Sequence, residues 1–71
     1  MTVSPSPAAI ALGAALRDAR KQAGLTQLQL AELAGLSDRT VREIEKGSGS
    51  PGLAAVLTVA DVLGMRLELR S

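Results

Sequence analysis

A chain of 71 residues with no Cys, no His and no aromatic side chain has few chemistries open to it. Disulfides, Cys- or His-based zinc sites, Cys or His nucleophiles, imidazole acid–base catalysis and base-stacking platforms are all excluded, so neither an enzyme nor a cofactor is expected. One domain is the most this length allows, and a domain so small buries only about 60% of the surface its unfolded chain exposes, which leaves a partner subunit as the route to a secure fold. Eight Lys and Arg stand against seven Asp and Glu, a net charge of +1, so any nucleic-acid surface must be a local patch. No apolar run approaches the roughly 18 to 20 residues of a membrane span, and no Lys or Arg precedes the first apolar stretch as in a secretory leader; the reading is cytoplasmic, with no membrane partner.

The segment Thr2-Val3-Ser4-Pro5-Ser6-Pro7 carries two Ser-Pro steps, which disfavour helix at the preceding residues, and residues 1–7 are read as a loose arm. From about Ala8 to Ala23 a first helix is predicted, with Leu12, Leu16, Ala19 and Ala23 on one face, stopped by Gly24. Thr26 followed three residues later by Gln29 is a capping box, predicting a second helix over 27–34 that ends at Gly35. Ser37 then caps a third, Asp38 to Lys46, after a turn of about three residues. Beyond Gly47-Ser48-Gly49-Ser50, Ser50 as cap and Pro51 at the first helical position predict a fourth helix, ending at Gly64. The strict alternation Met65-Arg66-Leu67-Glu68-Leu69-Arg70 predicts a short strand. The division is therefore an arm over 1–7, a helical domain over 8–64 and a strand over 65–70.

A short helix, a tight turn and a second short helix form the layout that lays the later helix in a DNA major groove. The residues Thr26-Gln27, Leu30-Ala31, Gly35-Leu36-Ser37, Val41 and Ile44-Glu45-Lys46-Gly47 resemble the Cro/cI-type, or Xre, helix-turn-helix family. The resemblance extends from about Leu12 to Leu69 and implies a lambda-repressor-like all-α fold of four helices, in a bacterial, nucleoid-associated regulator. Its recognition helix corresponds to Ser37 through Lys46. On a helical wheel Val41, Ile44 and Glu45 share one side while Arg39, Arg42, Glu43 and Lys46 face away.

The resemblance implies base readout by Asp38, Arg39, Thr40 and Glu43, with Arg39 suited to a bidentate bond with guanine and the carboxylates to cytosine N4. Gln27, Ser37, Arg42, Lys46 and Ser48 are expected at DNA phosphates; Gln27 stands where a helix N-terminus favours an anion. A plainer reading stays open, because Asp38 with Arg42 and Arg39 with Glu43 are opposite-sign i,i+4 pairs of the kind that decorate a solvated helix. Arg20 and Glu45 are implied to form a structural ion pair between the first and third helices.

The fourth helix is apolar almost all round, with Thr58 and Asp61 its polar residues between Leu53 and Leu63, more apolar surface than one packed face needs. A lone strand also needs a neighbour. Both point to an isologous homodimer through Val59, Val62, Met65, Leu67 and Leu69, its C-terminal strands paired antiparallel. The C-terminal segment resembles the HipB-like antitoxins, which implies a repressor of its own operon that also binds a HipA-like serine/threonine kinase toxin. Leu28 and Leu33 stand at positions the family often fills with charges, which implies a partner surface, with scattered surface leucines as the alternative. The leading reading is a sequence-specific, double-stranded DNA-binding repressor with that antitoxin role. The alternatives are a protein-interaction antitoxin or adaptor with little DNA binding, and a phage-type regulator without a toxin.

Overall fold

The protein, studied as a computed structural model, is described over residues 6–68 and at residue 70. The chain folds into α1 (Pro7–Gln22), α2 (Gln27–Ala34), α3 (Asp38–Lys46) and α4 (Leu53–Val62). α3 packs against each of the other three helices, and α2 also packs against α4. The core is built from one face of each: Leu16 of α1, Leu30 and Ala31 of α2, Val41 and Ile44 of α3, and Val59 and Ala60 of α4. Leu16, Leu30, Val41 and Val59 are wholly enclosed, each contributing about 1.5–3 kcal/mol by leaving water.

The arm expected over 1–7 gives up its last two residues to α1. The Ser6 hydroxyl accepts the N–H of Ala9 at 3.0 Å and Pro7 opens the helix. Residues 1–5 lie outside those described. α2 and α3 have the expected bounds. The Thr26–Gln29 capping box is complete, with the Gln29 N–H donating to Thr26 Oγ1 at 3.0 Å and the Thr26 N–H to Gln29 Oε1 at 2.9 Å. Ser37 caps α3 by accepting the Thr40 N–H. Gly35 adopts φ 68° and ψ 30°, a left-handed conformation that side-chain-bearing residues avoid; it lets the Leu36 N–H return to the Ala31 carbonyl at 2.9 Å. The chain thereby turns within three residues from α2 into α3.

α4 starts later than its Ser-Pro signal suggests. The N-cap is Gly52, without a side-chain cap bond, and the helix begins at Leu53. Ser50 is held in the loop because its N–H donates to Ser48 Oγ at 3.2 Å. Pro51 instead lines a small apolar cleft with Leu12, Gly13, Ile44 and Val56. Val59, expected on a dimer face, is enclosed in the protomer's own core; α4 turns its 59–60 side inward and leaves other apolar residues outside. No strand is formed among the described residues. After α4 the Met65 N–H returns to the Ala60 carbonyl at 2.8 Å, and Met65 packs against the core. Leu69, the last apolar member of the expected strand, lies outside the described residues.

Gly13 marks where α1 crosses α3. A methyl group there would collide with the Ile44 carbonyl oxygen and come within 2.8 Å of that of Glu45, both rigid backbone atoms. Gly13→Ala is therefore expected to lower stability by about 1–3 kcal/mol through overpacking. For a domain this small that is a fall in Tm on the order of 10 °C, readable by circular dichroism; an unchanged Tm would show that the helices can part without cost.

Candidate nucleic-acid interface

α3 has an inner and an outer face of different chemistry. Val41, Ile44 and Glu45 are buried, whereas Arg39, Arg42 and Lys46 are exposed and Asp38, Thr40 and Glu43 are half-buried. The outer charges are not paired uniformly. Arg42 Nε lies 3.2 Å from Asp38 Oδ2, and Lys46 Nζ 3.9 Å from Glu43 Oε1. Glu43 is thus nearest Lys46 rather than Arg39, and Arg39 makes no ion pair among the described residues. Exposed pairs of this kind are worth about 0–1 kcal/mol and separate readily, so Arg42 and Lys46 remain available to an anion, while Arg39 has nothing to break.

The polar residues around this face are partly committed to the fold. Ser37 and Thr40 share a hydroxyl–hydroxyl hydrogen bond of 2.9 Å, in addition to the cap that Ser37 provides. Ser48 Oγ donates to the Glu43 carbonyl at 3.3 Å and accepts the Ser50 N–H. It therefore finishes the C-terminus of α3, which leaves the Ser48 hydroxyl little freedom for a phosphate.

Beneath the outer face lies a buried polar network. Arg20 Nε donates to Glu45 Oε2 at 2.7 Å and Nη2 to Oε1 at 3.1 Å, while Nη1 donates to the Leu25 carbonyl at 2.8 Å. The hydrogen bond to Glu45 holds the guanidinium above the usual arginine pKa, against the opposing effect of burial. Gln27 joins the network, its Nε2 donating to Glu45 Oε1 at 3.0 Å. The link between Gln27 and Glu45 was not legible in the sequence, since it spans α2 and α3 and needs their packing. It fixes the Gln27 side chain at the start of α2 and leaves its carbonyl oxygen and second amide hydrogen uncommitted among the described residues.

Two clefts border this surface. One, of about 330 Å³, is lined by Arg39, Arg42, Glu43 and Lys46. The other, of about 310 Å³, is lined by Arg17, Arg20, Gln27, Arg42, Glu45 and Lys46. Arg42 and Lys46 form the shared wall. Among the described residues no cluster of three or more acidic, Cys or His side chains is arranged to hold a metal ion, and no helix is long and apolar enough to cross a membrane.

A helix-turn-helix family model matches residues 16–69. The chain belongs to the Cro/cI-type helix-turn-helix family. This is a family of DNA-binding transcriptional regulators and not of enzymes. The match to these helix-turn-helix proteins includes an uncharacterized HTH-type transcriptional regulator of Methanothermobacter thermautotrophicus, 43% identical over 49 residues that make up 69% of this chain and 71% of that one. The immunity repressor protein of Bacillus phage phi105 is 37% identical over 57 residues, 80% of this chain; the chain spans 40% of that repressor's length. Among solved structures, the restriction-modification controller protein C.AhdI from Aeromonas hydrophila superposes with a TM-score of 0.76 at 31% identity, covering 86% of this chain and 92% of that one. A chain of a HipA-HipB-O2-O3 complex superposes with a TM-score of 0.79 over all of this chain and 94% of its own; at 24% identity this likeness concerns the helix-turn-helix fold alone.

Proposed function

We propose that the chain is a repressor that binds a pseudo-palindromic double-stranded DNA operator as an isologous dimer, in the cytoplasm. The observation that carries this reading is the outer face of α3, where Arg39, exposed and without an ion pair among the described residues, stands beside Arg42 and Lys46 while Val41 and Ile44 anchor the helix in the core. A rigid helix with a free guanidinium near its first turn is suited to bonding guanine O6 and N7 in the major groove. Arg42, Lys46 and Gln27 serve the backbone; Ser37, Thr40 and Ser48 have lesser parts because their hydroxyls are bonded within the fold, and Asp38 and Glu43 because a carboxylate enters a phosphate-lined groove at an electrostatic cost.

The dimer reading rests on apolar surface. Leu53, Leu57 and Val62 of α4 are 69%, 45% and 37% exposed. A groove of about 400 Å³ runs between this helix and the returning chain, lined by Leu57, Thr58, Met65 and Leu67 among others. A second copy seated there would cover Val62, Met65 and Leu67, would let the alternating segment 65–70 pair with its copy as strands, and would set the two recognition helices about 34 Å apart. Selection from a pool of random duplexes is expected to enrich an inverted repeat with half-site centres about 10 base pairs apart, and Leu57→Asp to give a monomer by analytical ultracentrifugation with weakened operator binding. Enrichment of no symmetric sequence would overturn the reading.

A second role as an antitoxin is supported by Leu28 and Leu33, which stand 56% and 62% exposed on α2, outside both the core and the basic clefts. In that reading the same dimer also binds a HipA-like kinase. Co-purification with the product of an adjacent kinase-like reading frame tests it, and a phage-type regulator would lack such a neighbour.

A further inference from the structure

The cleft between α1 and α3 contains a cation with no ion pair or side-chain hydrogen bond among the described residues. Arg20 is bonded to Glu45, Arg42 to Asp38, and Lys46 stands near Glu43. Arg17 lines the same cleft, is exposed, and makes neither an ion pair nor a side-chain hydrogen bond among the described residues. Arg42 and Lys46 border this cleft on one side and the Arg39 cleft on the other. The order across the surface is therefore Arg39, then Arg42 with Lys46, then Arg17. This is a row of cations with Asp38 and Glu43 beside its middle members, and its two ends are the guanidinium groups that make no ion pair among the described residues. Counting only the lining residues of the Arg17 cleft, four cations face one carboxylate. An unpaired cation held beside like charges repels them, and an anion entering the cleft relieves that repulsion. A duplex whose major groove receives Arg39 continues past the helix as a sugar–phosphate strand, with a charge about every 3.4 Å along each strand.

We propose that Arg17 binds a backbone phosphate of the duplex, extending the contact surface from the recognition helix onto α1. The proposal rests on the DNA-binding reading above. Arg17 is a phosphate ligand with no sequence information of its own, so its removal weakens every duplex alike.

The test measures the affinity of the full chain for a mixed-sequence duplex and for a selected operator across a salt series, for wild type, Arg17→Gln, Arg17→Lys and the control Lys21→Gln. Lys21 is an exposed cation of the same helix that does not line the cleft. Arg17→Gln is expected to flatten the slope of log affinity against log salt by about 0.9 for each bound protomer. It should weaken both duplexes by the same factor, leave thermal unfolding unchanged, and make one phosphate per half-site indifferent to ethylation. Arg17→Lys should restore most of the slope. A slope for Arg17→Gln equal to that for Lys21→Gln would overturn the proposal while operator preference, still sensitive to Arg39, left the DNA-binding reading standing. Absence of salt-dependent duplex binding by wild type would overturn both.

Discussion

Arg39→Ala is expected to remove discrimination at one base pair in each half-site, raising operator Kd while leaving mixed-sequence duplex binding nearly unchanged at the same salt. A bidentate contact to a base is worth about 1–3 kcal/mol of discrimination, which is a loss of roughly 5- to 150-fold per half-site. The physical ground is the pairing pattern on α3. Arg42 and Lys46 have carboxylates beside them, at 3.2 and 3.9 Å, whereas Arg39 has none among the described residues. Lys46→Ala gives the contrasting result, a uniform loss on all duplexes with a shallower salt slope. If Arg39→Ala and Lys46→Ala weakened specific and mixed duplexes by equal factors, Arg39 would be a backbone contact and the readout would lie elsewhere on the helix.

The second large effect concerns stability. Arg20→Met leaves the Glu45 carboxylate, its side chain 3% exposed, with the Gln27 amide alone to replace two guanidinium bonds. Breaking a buried pair from one side typically costs about 3–5 kcal/mol. The lower end applies here, since the Arg20 side chain keeps 10% of its exposure. That is a large fraction of what a domain this small possesses, so Arg20→Met is expected to be substantially unfolded at ordinary temperature. The double variant Arg20→Met with Glu45→Met should regain most of the loss, because no uncompensated charge remains. Urea unfolding of the four members of the cycle measures the coupling. A double variant no more stable than Arg20→Met would mean that the pair does more than neutralise itself.

The middle of the fold was legible because its signals are local. Thr26, Gln29, Gly35 and Ser37 each satisfy or redirect backbone groups within a few residues, and α2 and α3 begin and end where those residues place them. Signals that depend on tertiary context misled in instructive ways. The dipeptide Ser-Pro occurs at 6–7 and at 50–51. At the first it caps and opens α1; at the second Ser50 is tied back to Ser48, Pro51 lines a cleft with residues of α1 and α3, and Gly52 opens α4. Val59 lies in the core and not on the expected dimer face, because a helix apolar all round has no periodicity to choose its inner face. Arg17 carried no signal at all. An arginine on a solvated helix is unremarkable until the packing of α1 on α3 places it at the edge of a cleft shared with Arg42 and Lys46.

The cap at Ser37 and the left-handed glycine at Gly47 close α3 from within its own sequence, with the Thr40 N–H bonded at one end and the Ser48 N–H returned to the Glu43 carbonyl at the other. The helix therefore has its full length before any duplex arrives. Disordered recognition segments must lose chain entropy on contact, which weakens them for a given buried area. On the proposed reading the outer face of α3 docks as a finished solid, so the free energy of encounter goes to the fit between side chains and groove, and a change of base is felt directly in how long the complex lasts.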